Sequence, residues 1–323
     1  MSIPRIPAVL TVTLNPALDH TIEVDSLALG EVNRALSMQV DVGGKGINVA
    51  SCLADFGVAT GVTGQLGRDN VALFEALFAA KRIDNRFAYL DGLTRINTKL
   101  VDRRSRQTTD INMPGPTFDA GGAEALLGQI ELEIATLMPA CRWVVLAGSL
   151  PPGLPADSYA RMARTARRHG ARVVLDASGA ALRAAIAAGV TIAKPNRAEL
   201  SELVGEPLPT PGAVLQAARA LIAAEHGPQQ VVVSMGGDGA LFVTAHEALH
   251  AHPADITPLS TVGAGDAMVA GIVAGAIETL PLAEQAQLAT AFSAAKLARL
   301  GPHLPSAGAV RELARSIRIT AAR

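Results

Sequence analysis

Near the C-terminus, Gly263-Ala264-Gly265-Asp266 sets a carboxylate beside almost bare backbone at the entry to an apolar Ala/Val/Ile helix. Unbonded N–H groups at a helix start, together with the positive end of the helix dipole, suit an anion. A carboxylate next to such a hole is poor electrostatics. The pairing therefore fits proton abstraction by Asp266 coupled to transfer of a negatively charged group, such as a phosphoryl, into the hole. Taken alone, the four residues also read as plain helix entry, since Asp caps helices and Gly makes turns.

Other segments carry chemistry of a compatible kind. Asp41-Val-Gly43-Gly44-Lys45-Gly46-Ile-Asn48 offers close backbone approach, a Lys charge and an Asn side chain ahead of a helix expected over Asn48 to Phe56. It is not a Walker A loop, because Gly46 stands where Ser or Thr would follow the Lys. Its other reading is a glycine turn with a solvated lysine. Asp19, after Asn15-Pro16, is either a turn residue or an acceptor for sugar hydroxyls. In Lys194-Pro195-Asn196-Arg197-Ala198-Glu199, the Asn196/Glu199 spacing makes a capping box, and the same two side chains could hold Mg²⁺ through water. His246, His250 and His252 invite a metal reading, but Ala and Pro surround them without a nearby Cys or carboxylate triad, so they read as exposed loop histidines.

The elements that must position these groups follow from the apolar pattern. Trp143–Ala147, Arg172–Asp176, Val190–Lys194 and Gln230–Ser234 are short β-type runs separated by helix-length segments, the pattern of a parallel sheet with helices on both faces. Ligands bind at the carboxyl ends of such strands. Gly148-Ser149, Asp176, Lys194-Pro195-Asn196 and Ser234 are thus expected along one edge. Ala8–Leu14 reads as a first buried strand and Ala309–Ile317 as a last helix. Two stretches, about 20–42 and 95–113, alternate like strands without intervening helices, with Arg103, Arg104 and Arg106 at a hairpin turn. They predict a small antiparallel sheet serving as a lid, a dimer surface or both.

Composition limits the partners. The 323 residues are 49% hydrophobic and 3% aromatic, ample for an aliphatic core, and 28 Lys plus Arg nearly balance 29 Asp plus Glu. That balance provides no global field for nucleic acid or an anionic membrane. Cys52 and Cys141 match no zinc or redox spacing, and the N-terminal apolar run is too short for an export signal or a span, so the chain is expected to be cytoplasmic. No strand leads into G-x-G-x-x-G, which argues against a dinucleotide oxidoreductase.

Five blocks, GGKGINVA (43–50), GSLPPG (148–153), KPNRAEL (194–200), VVSMGGDGA (232–240) and STVGAGDAMVAG (260–271), resemble in order and spacing the phosphofructokinase-B or ribokinase-like sugar kinases. The resemblance spans nearly the whole chain and implies one ribokinase-like α/β domain over 1–323, with a central, mostly parallel sheet, helices on both faces and a small antiparallel β lid. Within the family, TLNPALD (13–19), GEVNR (30–34), LGRDN (66–70), NRF (85–87), TRINTKL (94–100) and Lys45 are similar to the branch acting on fructose 1-phosphate. Kinases of tagatose 6-phosphate and fructose 6-phosphate are the near alternatives, and a non-catalytic sugar-phosphate sensor the distant one.

The resemblance assigns Asp266 as base and the amides of Gly263, Ala264 and Gly265 as the anion hole. It assigns Asp19, Gly43, Gly44, Asn48, Arg95 and Ser149 to the sugar phosphate, with Lys45 near its phosphate. Lys194, Asn196, Ser234, Gly236, Gly239 and Thr261 would serve ATP, while Asn196 and Glu199 would hold Mg²⁺ through water. Ser260 stands where ribokinases proper open the last motif with Asp. The implied partners are a sugar phosphate, ATP and a second copy of the chain meeting through the lid.

Overall fold

The computed structural model describes residues 6–138, 140–256, 262–299 and 301–322. Strands β1 (Val9–Thr13), β2 (Ala17–Val24) and β3 (Ala35–Gly43) precede helix α1 (Lys45–Asp55). Next come β4 (Thr60–Gly67), α2 (Ala72–Lys81), β5 (Asp84–Leu90), β6 (Ile96–Asp102), β7 (Gln107–Ile111) and α3 (Ala120–Leu137). Alternation then sets in with β8 (Trp143–Ala147), α4 (Ser158–Arg168), β9 (Arg172–Asp176), α5 (Gly179–Ala187), β10 (Ile192–Ala193), α6 (Arg197–Val204) and α7 (Pro211–Ala223). The chain ends with β11 (Gln230–Ser234), β12 (Ala240–Thr244), β13 (Ala248–Ala251), α8 (Ala264–Ile277), α9 (Leu282–Leu297), α10 (Ala307–Ser316) and β14 (Ile319–Ala321).

The large sheet has the order β14-β13-β12-β11-β10-β9-β8-β1-β4-β5. Every neighbouring pair from β5 across to β11 is parallel, and β12, β13 and β14 add an antiparallel margin. Its strands are apolar at consecutive positions because both faces are covered. Val145 and Ala147 pack with α1, α8, α9 and α10, whereas Val144 and Leu146 pack with α3, α4 and α5 on the other side. Successors of β1 lie on opposite sides of it, β4 on one and β8 on the other. The crevice such a reversal opens lies beyond the carboxyl ends of the strands.

The second sheet has the order β3-β2-β6-β7. Its two outer pairs, β2–β3 and β6–β7, are antiparallel as expected, and its inner strands β2 and β6 join them in parallel. Pairing Asp19 with Asn97 and Asp41, and Ile22 with Met38 and Leu100, gives the sheet one polar and one apolar face. The apolar face is buried where Leu18 and Val42 meet Ile47, Phe74 and Phe78. Arg106 takes the left-handed backbone (φ 58°) at the β6–β7 turn.

Three boundaries depart from the sequence reading. Helix α1 begins at Lys45, one turn before the expected Asn48, because Gly44 (φ 121°) already stands at its N-cap. Strand β10 is only Ile192–Ala193, shorter than the expected Val190–Lys194, and the Thr191 hydroxyl just before it accepts the Val173 amide. Helix α10 runs Ala307–Ser316, started by the Ser306 side chain accepting the Ala309 amide. Among the described residues no helix is long and apolar enough to cross a membrane.

Candidate active site

Asp266 lies in the first turn of α8 and is 7% exposed. Gly263, at the N-cap, adopts the left-handed conformation (φ 77°) that a side chain resists, and among the described residues no side chain caps the helix. The first-turn amides of Ala264 and Gly265 are left without that partner. The Asn48 side-chain amide donates to the Asp266 carboxylate at 2.8 Å. Burial, with the charge of Asp176 adding to it, pushes the Asp266 carboxyl up to about 6 against the opposing pull of Asn48, Lys45 and Lys194. A carboxylate with that affinity is largely ionised at neutral pH and is a stronger base than an ordinary aspartate, which suits it to taking a proton.

Opposite this turn, the end of β9 delivers Asp176, 1% exposed. Its carboxylate meets Lys45 Nζ at 3.0 Å and Lys194 Nζ at 3.4 Å. Burial alone would raise the Asp176 carboxyl, but the two ammonium groups outweigh it and hold the group below the usual range. Lys45 in turn is held above its usual range: burial acts against its charge, and Asp176 and Asp266 more than compensate. Lys194 lies close beneath the hole, its Nζ 3.7 Å from where a side chain on Gly265 would begin. The early start of α1 explains the convergence, because Lys45 and Asn48 are one turn apart on one helix face.

The strand-end expectation is met along this edge. The Gly148 amide donates to Asp176 O (2.9 Å), the Ser234 amide to Pro195 O (3.2 Å), and Asn196 bridges Ser234 in parallel. Asn196 and Glu199 form the complete capping box of α6, each side chain accepting the other's backbone amide at 2.8 Å. Gly236 and Gly239 flank the turn after β11, where the Met235 amide donates to Gly239 O (2.8 Å). Ser149 is exposed and its hydroxyl accepts from Asn15 at 3.2 Å. Ser260 and Thr261 lie outside the described residues.

On the polar face of the small sheet Asp19 accepts from Asn97 at 2.8 Å, and its carboxylate abuts Gly43, where a side chain would collide with it. Arg95 stands apart from the lysines. Its guanidinium donates to the carbonyls of Asn15 (2.9 Å), Pro16 (3.2 Å) and Met113 (2.6 Å), tying the β1–β2 turn to the segment after β7. The histidines differ from the loop reading in part. His246 is exposed in the β12–β13 turn, but His250 lies in β13, its Nε2 2.6 Å from Asp238 O, and His252 follows it, 3.0 Å from the Thr320 hydroxyl. Among the described residues no group of three His, Cys, Asp or Glu could hold a metal.

Sequence reasoning placed Asp176 at a strand end without giving it a role, and it missed Asn97 and Lys296. An acidic residue closing a buried strand was the available signal for Asp176; Asn97 and Lys296 carried none, because Asp19 and the Gly263 turn beside which they lie are remote from them in sequence.

The chain is similar to known proteins over most of its length. The profile described as pfkB family carbohydrate kinase matches residues 12–307. The 1-phosphofructokinase of Rhodobacter capsulatus is 45% identical over 311 residues, covering 96% of this chain and 97% of that one. The 1-phosphofructokinase of Xanthomonas campestris is 48% identical over 293 residues, covering 89% and 90%. Among solved structures, phosphofructokinase-2 from Escherichia coli superimposes with a TM-score of 0.87 at 28% identity, over 96% of this chain and 98% of that one.

Proposed function

The chain belongs to the pfkB family of carbohydrate kinases, and from that premise we propose that it transfers the γ-phosphoryl group of ATP to O6 of D-fructose 1-phosphate, releasing fructose 1,6-bisphosphate and ADP. The observation that carries the chemistry is the buried Asp266 carboxylate, held by the Asn48 side-chain amide at the start of α8. The choice of sugar rests on relatives at 45–48% identity over most of both chains.

In the proposed reaction Asp266 takes the proton from the O6 hydroxyl as that oxygen bonds to the γ-phosphorus and the bond to the ADP oxygen breaks. Charge developing on the transferred group is met by the first-turn amides of α8 and by Lys194. Positioning and charge stabilisation are the main work in such a transfer. Asp19, steadied by Asn97, accepts from the sugar hydroxyls, while Gly43 and Gly44 let the backbone approach. Lys45 neutralises the phosphate that the sugar already carries, and Asp176, lying between Lys45 and Lys194, fixes the Lys45 ammonium in place. Arg95 acts by bracing the turns around the sugar, with Ser149 at the open rim. Ser234, Gly236 and Gly239 border the nucleotide.

Mg²⁺ fits Asn196 and Glu199 through water, because the capping box engages only one oxygen of the Glu199 carboxylate. Bound there, the ion would supply charge neutralisation to the polyphosphate. The small sheet serves as a lid that excludes water from the transfer. Its outer apolar residues, Met38 (61% exposed) and Ile111 (50%), with Leu29 (90%) and Val32 (84%) in the β2–β3 loop, are covered by a second copy in a homodimer. Cytoplasmic residence fits the free, buried state of Cys52 and Cys141. A coupled assay of ADP release with fructose 1-phosphate tests the activity, and ATP turnover that does not depend on added phosphosugar would refute it.

A further inference from the structure

Helix α9 packs between α8 and α10 and is built mainly from Ala, Leu and Phe, yet Lys296, in its last turn, is only 4% exposed. Its ammonium donates to Arg299 O at 3.3 Å, a long bond for a charged donor. It also lies against the catalytic turn. A side chain starting from Gly263 would find Lys296 Cε at 3.2 Å, Lys296 Nζ at 3.9 Å and Asn48 Nδ2 at 4.0 Å. The ammonium and the amide that holds Asp266 therefore flank one point at the N-cap of α8. Among the described residues the charged or titratable groups facing Lys296 are Asp266 from α8, Cys52 from α1, Asp41 from β3, Lys99 from β6 and His303 from the segment between α9 and α10.

Among the described residues the Lys296 ammonium makes one hydrogen bond, so its burial is expensive, and a Met or Leu would fill the same volume without that penalty. Its charge is unfavourable beside the positive end of α8 until an anion occupies the hole, when the same charge becomes attractive. We propose that Lys296 is a positioning residue for phosphoryl transfer: a fixed positive charge behind the Gly263 turn that favours the ionised Asp266 carboxylate and the anionic group in transit. It does not touch substrate; it acts through Gly263, Asn48 and Asp266. This inference rests on reading the start of α8 as the phosphoryl pocket.

The test compares Lys296→Met and Lys296→Arg with the unaltered protein, using whichever phosphosugar that protein turns over best. A wrong choice of sugar therefore leaves the inference intact, whereas an unaltered protein inactive on all of them sinks the kinase reading instead. Lys296→Met is expected to lower kcat roughly 10–100-fold with both KM values within about threefold, as for loss of one charge-stabilising group. The midpoint of the acid limb of kcat should move to higher pH, and Lys296→Arg should recover most of kcat and the original midpoint. A kcat within about twofold in the Met variant, an unshifted midpoint, or equal losses in Met and Arg variants would each overturn the inference. If the Met variant does not fold, Lys296→Ala assayed with methylammonium decides. Activity rising with methylammonium, but not with tetramethylammonium, supports the role, and no response contradicts it.

Discussion

Replacing Asp266 by Asn should yield a poorer enzyme and, at neutral pH, a more stable protein. The Asp266 carboxyl is raised from 3.8 to about 6, chiefly by burial. The folded chain thus holds this proton more tightly than the unfolded chain between about pH 4 and pH 6, so stability from this group is present at low pH and lost as pH rises through about 6. A rise of about two pH units, at about 1.36 kcal/mol each, makes the ionised carboxylate a liability of roughly 3 kcal/mol above pH 7. Asn has nearly the same shape, keeps an oxygen to accept from Asn48, and carries no charge. Urea unfolding of both proteins at a series of pH values measures the difference. It should approach roughly 3 kcal/mol in favour of the variant at pH 8 and shrink towards zero near pH 4, while kcat falls about 10²–10⁴-fold. A stability difference that does not vary with pH, or a variant less stable at pH 8, would refute the reasoning.

Asp176→Asn removes the second contributor to the raised Asp266 carboxyl and releases Lys45 and Lys194 from their shared partner. The acid limb of kcat/KM should then shift below about pH 6; a midpoint that stays or rises counts against the charge arrangement. Lys45→Ala should raise KM for the phosphosugar more than KM for ATP, by about tenfold or more for a lost charge-assisted contact. A selective effect on ATP would move Lys45 to the other substrate. Met38→Glu, on the exposed apolar side of β3, should convert a dimer to monomers in sedimentation at micromolar concentration, and an unchanged sedimentation coefficient would place the interface elsewhere.

Strands buried on both faces were legible because they read as unbroken apolar runs: Trp143–Ala147, Arg172–Asp176 and Gln230–Ser234 match β8, β9 and β11 residue for residue. Legibility failed where local chemistry overrides periodicity. The glycines of 43–46 hide the true start of α1, and with it the common face of Lys45 and Asn48. The parallel join between β2 and β6 depends on pairing across some eighty residues, which alternation alone does not encode. In the site, the glycine turn and Asp266 stood out as an incongruous pair. Asp176 did not, because an Asp ending a strand is ordinary until two distant lysines are found on it. The carbonyls that hold Arg95, on both sides of the β1–β2 turn and after β7, were not legible either, because they lie far from it in sequence or beyond a strand pair.

A steady-state comparison of kcat/KM for fructose 1-phosphate, fructose 6-phosphate and tagatose 6-phosphate, at saturating ATP and Mg²⁺, decides which acceptor the site takes. Fructose 1-phosphate should be preferred by at least about tenfold, equivalent to about 1.4 kcal/mol in transition-state binding. Equal turnover of the three, or preference for either 6-phosphate, would contradict the account.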